Sequence, residues 1–347
     1  MTVEVSVAGV RYAGWQRGTL QLTMQELANS FELEYIASGK RMVDRALYAG
    51  DEVLVRVDGE AVLGGYVDTT DDEDAADDLR LRAGGRSKTC DLVDCSAPVQ
   101  AFSNQTAVQI AEAIAKPFGI VVRGESDPGD PLPRFSVQKG ETCADAIQRA
   151  TGPRGLYPYA VGADLVIGRA GAVRSATRLV RGTPPLLRSS RSDSWYSRYS
   201  EYVFRGQMRA TDVAFGKAVS QLKTSVVDPE ITRFRPLLIQ VEAHGAGDLK
   251  TRAEVARNQR IGQAQRVLAT VVGLTDADGK PWRPNVLVDF ANPVLGIEAP
   301  LLVSVVRMRF GEGDGDETEL ELVPVEAFDI GKNRAAREKP TRRVYAK

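Results

Sequence analysis

Across residues 2–94 apolar and polar residues alternate with a period of two, in short runs broken by turn formers, and few folds other than a small antiparallel β structure accept that pattern. Val3, Val5 and Val7 form one such run; Leu20 and Leu22, then Phe31, Leu33 and Tyr35, then Val53, Val55 and Val57 form others. Asp58-Gly59, between Val57 and Val62, is a hairpin signal, because glycine accepts the positive φ that tight hairpin turns require. Gly64-Gly65 interrupt the next strand and predict a bulge or sharp bend there. Many short strands with regular turns predict a first β-barrel domain over residues 1–100. A chain of 347 residues exceeds one ordinary core, so further domains are expected.

Asp71, Asp72, Glu73, Asp74, Asp77 and Asp78 form an acidic run between the Tyr66-Val67 and Leu79-Leu81 strands. A calcium site needs ordered, convergent carboxylates, whereas these lie among alanines, so the run is read as a solvated hairpin loop.

From residue 101 the period changes. Asn104-Gln105-Thr106 can cap a helix carrying Val108, Ile110, Ala111, Ile114 and Ala115, which Pro117 stops. Ile120, Val121 and Val122 read as a strand. After a loop at 127–133 come a strand over 135–137, a Lys139-Gly140 turn, a helix over 142–150 and a strand over 165–167. These units predict an α/β insert over residues 101–173. A polar stretch rich in Arg and Ser follows over 174–198, and strands resume at Tyr199. One long helix interrupts them, with Asp248 as N-cap and Leu249, Ala253, Ala256, Ile261, Ala264 and Val267 as its apolar stripe. Strands over 286–290, 301–310 and 320–323 complete a second barrel, giving that domain residues 174–330. The expected fold class is mainly β, with two β-barrel domains and a small α/β domain between them. Residues 331–347 carry Lys332, Arg334, Arg337, Lys339, Arg342, Arg343 and Lys347 against Glu338 alone, and are expected to form a flexible basic tail ordered by a partner.

Charge and special residues narrow the function. Forty-five Lys and Arg against 46 Asp and Glu give no global affinity for nucleic acid or membrane. The alternating start of the chain does not read as a secretory signal, and no run approaches the roughly 20 apolar residues of a membrane span, so no membrane insertion is expected. Cys90, Cys95 and Cys143 are odd in number and lack C-x-x-C spacing, which points to reducing cytoplasm and away from disulfide or zinc. No metal or cofactor is expected. His244, the only histidine, sits in the Gly-rich turn His244-Gly245-Ala246-Gly247, and no G-x-S-x-G elbow accompanies it. Gly311-Glu312-Gly313-Asp314-Gly315-Asp316 lacks the P-loop lysine and the EF-hand spacing and reads as a hairpin tip. Paired carboxylates for glycoside hydrolysis have no fixed spacing and stay open. On balance no catalytic site is expected. Trp15 and Trp282 follow turn signals and read as internal, whereas Trp195 and Tyr196, beside Arg191 and Arg198, are the candidate interface residues.

Several stretches resemble the hub proteins of Mu-like contractile phage tails, the tail protein P or late control protein D family. They are Tyr12-Ala13-Gly14-Trp15, Ser30-Phe31-Glu32-Leu33, Ala49-Gly50-Asp51 and Leu63-Gly64-Gly65-Tyr66-Val67-Asp68. Further along are Gly84-Gly85-Arg86-Ser87-Lys88-Thr89, Asp91-Leu92-Val93-Asp94-Cys95-Ser96 and Pro117-Phe118-Gly119-Ile120. Thr232-Arg233-Phe234-Arg235-Pro236-Leu237 and Gly279-Lys280-Pro281-Trp282-Arg283-Pro284-Asn285 complete the set, in order over residues 1–330. The resemblance implies a structural homotrimer whose six barrels ring a channel and join a six-fold tail tube, or its initiator, to a three-fold central spike. It also implies baseplate wedge proteins as neighbours, DNA only in transit through the channel, a place in the virion tail baseplate and assembly in host cytoplasm. Residues 135–169 are similar to a LysM module, whose peptidoglycan-binding relatives make Tyr157 and Tyr159 candidate glycan contacts. A peptidoglycan-binding module is therefore the alternative reading, and a cell-wall hydrolase a remote one.

Overall fold

The computed structural model describes residues 2–13, 15–38, 47–74, 78–207, 222–242, 246–311 and 315–328. The chain forms two compact units. One comprises Met1–Ser190, Leu268–Ala291 and Ala299–Leu322; the other comprises Arg191–Val267, Asn292–Glu298 and Val323–Lys347. The fold is mainly β, as expected. No helix among the described residues is long and apolar enough to cross a membrane.

The first unit opens with β1 (Val3–Val7), β2 (Val10–Tyr12), β3 (Arg17–Thr23), β4 (Ser30–Ser38), β5 (Glu52–Val57), β6 (Glu60–Asp74) and β7 (Asp78–Ser87). The alternation read from the sequence orients these strands: Val53, Val55 and Val57 are buried, as are Leu20, Leu22, Phe31 and Leu33. Asp58 (φ 48°) and Gly59 (φ 87°) make the turn between β5 and β6. The bulges of β6, however, are not at Gly64-Gly65. Val55 pairs with Leu63 and Arg56 with Ala61, which leaves Val62 over; on the other side Val67 pairs with Gly85 and Thr69 with Gly84, which leaves Asp68 over. The glycines serve close approach instead, since a Cβ on Gly65 would lie 1.8 Å from the Arg86 carbonyl oxygen.

The acidic run is also corrected. β6 continues through Asp74, so Asp71, Asp72, Glu73 and Asp74 lie in a strand rather than a loop, and residues 75–77, Asp77 among them, lie outside the described residues. Asp71 stands opposite Arg82 and Glu73 opposite Arg80, and these cross-strand charges make pairing tolerable for a sequence that β-propensity disfavours.

The insert adds α1 (Cys90–Asp94), β8 (Ala101–Phe102), α2 (Ala107–Ala115), β9 (Val122–Gly124), β10 (Phe135–Ser136), α3 (Cys143–Thr151), β11 (Tyr157–Val161) and β12 (Asp164–Gly168). Both main helices start at threonine caps. The Thr106 hydroxyl accepts from the Gln109 N–H while the Gln109 side chain accepts from the Thr106 N–H, and the Thr142 hydroxyl accepts from the Asp145 N–H. Ile110, Ile114, Ile147 and Leu165 meet in one apolar core. β12 pairs parallel with β9 and antiparallel with β11, whereas β10 pairs with β8. Replacing Thr106 with Ala is expected to cost about 1 kcal/mol, read as a lower denaturant midpoint for the insert.

Arg149 grips Glu141 with Nε at 2.7 Å from Oε1 and Nη2 at 2.8 Å from Oε2. This pairing holds the Glu141 carboxyl below its ordinary range, against the opposing effect of burial. With the folded value depressed, the contribution is complete above the unfolded value, roughly pH 4.3, and is lost as pH falls through the lower folded value. Acid unfolding of the insert should therefore shift to higher pH and become shallower in Glu141→Gln, as followed by circular dichroism.

The stretch read as a polar connection contains two strands, β13 (Val173–Val180) and β14 (Leu186–Asp193). Among the described residues β13 pairs only with β19 (Val286–Asn292), and β14 ends the sheet path, so both are edge strands that keep polar residues toward water. The second unit carries β15 (Glu201–Gln207), β16 (Leu222–Val227), β17 (Pro236–Glu242) and α4 (Ala246–Gln263). The remaining strands are β18 (Gln265–Val272), β20 (Ile297–Gly311) and β21 (Glu317–Val323). One sheet of 13 strands follows the path β14-β18-β21-β20-β3-β4-β7-β6-β5-β1-β2, with β13 and β19 attached through β20. β20 pairs antiparallel with β3, from Val305 opposite Thr23 to Gly311 opposite Arg17, which places late and early segments of the chain side by side.

In the second unit β15 is antiparallel to β16 and parallel to β17. Tyr202, Phe204 and Val226 from the sheet form its core with Leu249 and Ala253 of α4. The helix begins at Ala246, ahead of the expected cap at Asp248, and ends at Gln263, so Val267 belongs to β18 rather than to the helical stripe. His244, the tip at 312–314 and the basic tail at 331–347 lie outside the described residues.

Candidate interaction site

β15 begins, β16 ends and β17 begins at one end of the three-stranded sheet, since Glu201 stands opposite both Val227 and Pro236. The loops at that end, residues 194–200 and 228–235, are tied by backbone bonds: the Asp228 N–H donates to the Ser200 carbonyl at 3.1 Å and the Ser200 N–H to the Arg235 carbonyl at 2.9 Å. Arg198 lies beneath them, 1% exposed. Its Nε donates to Asp228 Oδ2 at 2.9 Å, Nη2 to Asp228 Oδ1 at 2.8 Å, and Nη1 reaches Glu230 Oε2 at 2.9 Å. The guanidinium carbon stands 5.2 Å from the Trp195 ring centre. Arg235 and Arg260 bracket Tyr199 at 5.1 and 5.4 Å, and Arg235 donates to the Tyr196 carbonyl.

On this charged base stand Trp195, 48% exposed, Tyr196, 86%, and Phe234, 91%. Large aromatic side chains open to water above an ion-paired base are candidate interface anchors. Of the four residues read as interface candidates, Trp195 and Tyr196 are at the surface. Arg198 is not: it is buried, because Asp228 and Glu230 hold it inside, and it acts by positioning Trp195. Arg191 is partly covered, paired with Asp193 at 2.7 Å and donating to the Leu295 carbonyl at 3.2 Å. Phe234, not among those four candidates, is also at the surface. Its signal was an aromatic between Arg233 and Arg235 in a short loop, where no alternating neighbour gives it a buried face.

The glycan contacts fare differently. Tyr159 is 3% exposed, its hydroxyl donating to Glu125 at 2.9 Å and accepting from Asn285 Nδ2 at 3.1 Å, so its ring has no face for a sugar. Burial pushes its hydroxyl up to about 12. Tyr157 is partly buried in β11, opposite Gly168.

The Cys90 and Cys143 thiols are pushed up to about 11 by burial, which keeps them protonated and poorly nucleophilic. No group of three or more His, Cys, Asp or Glu among the described residues is placed to hold a metal ion. An open groove of about 840 Å³ crosses β20, β3, β4, β7 and β6 in the first unit; its charges are mixed, with Arg82 paired to Glu34 at 3.3 Å. Trp282 is buried, as expected, and Trp15 is partly buried.

The architecture is mainly β, with large aromatic residues exposed at one end of the three-stranded sheet, an aromatic platform. The model for the N-terminal part of Mu phage baseplate assembly protein GpP-like proteins matches residues 2–87, that for the second domain of baseplate hub protein gp44-like proteins matches 89–169, and that for the fourth domain of GpP matches 246–331. Baseplate hub protein gp44 of Escherichia phage Mu is 30% identical over 340 residues, covering 94% of this chain and 89% of that protein. The 43 kDa tail protein of prophage MuSo2 from Shewanella oneidensis is 28% identical, with a TM-score of 0.83 over 95% of this chain and 99% of that one. The tail protein of Neisseria meningitidis MC58, 24% identical, shares the fold with a TM-score of 0.83 over 95% of this chain and 98% of its own. The chain belongs to the Mu-like baseplate hub family. Its role is therefore that of a structural component of a phage-type tail baseplate.

Proposed function

We propose that this chain is the trimeric hub of a contractile-tail baseplate, an adaptor between a six-fold tail tube and a three-fold central spike that leaves a channel for DNA. The observation that carries the reading is the match to the Mu hub over 94% of the chain, which leaves little of this sequence outside the relative's architecture. Each copy contributes two barrels, so three copies offer quasi-six-fold contacts on one side and three-fold contacts on the other. The partners are the spike, the tube or its initiator and the wedge proteins, and the protein acts in the virion tail after assembly in host cytoplasm. The LysM-like stretch at residues 135–169 serves as a scaffold in this reading, in keeping with the burial of Tyr159.

Electron-microscopy averages of the purified full chain, alone or with a spike protein, test this. A closed three-fold ring with an open centre is expected; a ring of five or six copies contradicts it. The same preparation is expected neither to sediment with peptidoglycan nor to clear a cell-wall suspension, and saturable binding to peptidoglycan would instead favour the glycan-module reading.

A further inference from the structure

Two of the three free cysteines face each other at the start of the insert. Cys95 ends α1: it is half-buried, its backbone is extended, and its N–H closes the helix on the Asp91 carbonyl. Cys143 opens α3 and is fully buried. Between them Ser96 and Thr142 form an antiparallel bridge, in which the Ala97 N–H donates to the Glu141 carbonyl at 2.8 Å and the Cys143 N–H to the Cys95 carbonyl at 3.1 Å. One step along that register sets Cys95 directly opposite Cys143. Opposed, hydrogen-bonded residues of an antiparallel pair hold their Cα atoms about 5.5 Å apart, inside the roughly 4.4–6.8 Å over which disulfides form. The backbone at this point is held in place, since Thr142 caps α3 and Arg149 grips Glu141. Burial first, and then Cys95, oppose ionisation of the Cys143 thiol, so the two sulfurs lie within electrostatic reach of each other. Cys90 is placed otherwise, with its sulfur 3.9 Å from Asp91 Oδ1.

We propose that Cys95 and Cys143 are a latent dithiol, which a small-molecule disulfide closes to an intrachain Cys95–Cys143 bond. Cys95, the least buried of the three thiols, makes the first attack. Its thiolate displaces one small thiolate from the reagent and leaves a mixed disulfide on Cys95; Cys143 then attacks the Cys95 sulfur and expels the second. The protons of the two protein thiols leave on the two small thiols, so two protein thiols and one small disulfide become one protein disulfide and two small thiols. Burial makes Cys143 a slow nucleophile, and its fixed place opposite Cys95 offsets this by proximity. The closed bond ties the end of α1 to the start of α3 and encloses α2, which removes chain entropy from the unfolded insert. In a tail particle outside reducing cytoplasm the bond would persist. The inference needs only the fold of the insert and stands apart from the trimeric reading above.

Oxidised glutathione added to the folded full chain tests it, with intact mass and non-reducing peptide maps as readouts. The wild type is expected to lose two hydrogen masses, to keep one of its three thiols free, and to give a peptide pair joined through Cys95 and Cys143 that dithiothreitol separates. On closure its urea midpoint should rise by about 1 M, and hydrogen exchange in α1 and α3 should slow. Cys95→Ser should stay fully reduced, Cys143→Ala should stop with one glutathione on Cys95, and Cys90→Ala should close like the wild type. Where Cys143→Ala fails to fold, the wild-type map and Cys95→Ser decide the pairing. A wild type that retains glutathione on Cys95, links Cys90, joins two chains, or stays fully reduced while its urea-unfolded form reacts would overturn the proposal. A closed form no more stable than the open one would overturn the stapling role.

Discussion

Arg198→Met is expected to destabilise the second unit by about 3–5 kcal/mol, because it strands the Asp228 carboxylate, which is fully buried, without its cation. The loss goes beyond one ion pair. The same guanidinium holds Glu230 and lies under Trp195, so the loops at 194–200 and 228–235 lose their shared anchor together. Hydrogen exchange should show faster opening of peptides spanning β15 to β17, with the insert of the first unit unaffected. Replacing Asp228 by Leu in the same chain removes the orphaned charge and should recover a substantial part of the loss. If Arg198→Met alone leaves exchange in this unit unchanged, the platform does not depend on the buried pair.

Gly65→Ala is the second change with a large expected effect, about 3 kcal/mol. The added Cβ would sit 1.8 Å from the Arg86 carbonyl oxygen and 2.7 Å from the Ser87 Cα, both backbone atoms that no rotamer change can move. Gly85 meets the reciprocal problem, with the Tyr66 carbonyl oxygen 2.0 Å from an added Cβ and the Phe31 ring at 2.6 Å. Gly59→Ala is a useful contrast: nothing lies within 4 Å of its Cβ, so its cost is the strain of a left-handed φ of 87°, roughly 1 kcal/mol. Urea midpoints of the two variants should differ in that order. Equal midpoints would mean that β6 and β7 do not approach as described.

These glycines show what the sequence made legible and what it concealed. Gly64-Gly65 were recognisable as exceptional within a strand, but bend and close approach leave the same local mark, and only the partner strand tells them apart. The alternating strands at residues 3–57, the helix capped at Thr106 and the helix near 142–150 were readable because period and capping are local properties. β13 and β14 were not, since edge strands keep polar residues toward water and lose the apolar alternation that identifies them. The acidic strand was hidden for a related reason: Arg80 and Arg82, which make it tolerable, belong to the neighbouring strand. At the platform, Trp195 and Tyr196 stood out as aromatics in a polar stretch. The burial of Arg198 was invisible, because Asp228 lies 30 residues away and nothing local distinguishes a buried arginine from a solvated one.

The central claim, a structural hub built from three identical chains, is tested most directly by the mass of the purified full chain in solution, measured by sedimentation equilibrium over a wide concentration range. The account predicts a species of three times the 37.7 kDa chain mass, in equilibrium with monomer. A chain that stays monomeric at all concentrations, with or without its spike, or that settles at a dimer or hexamer, would contradict it.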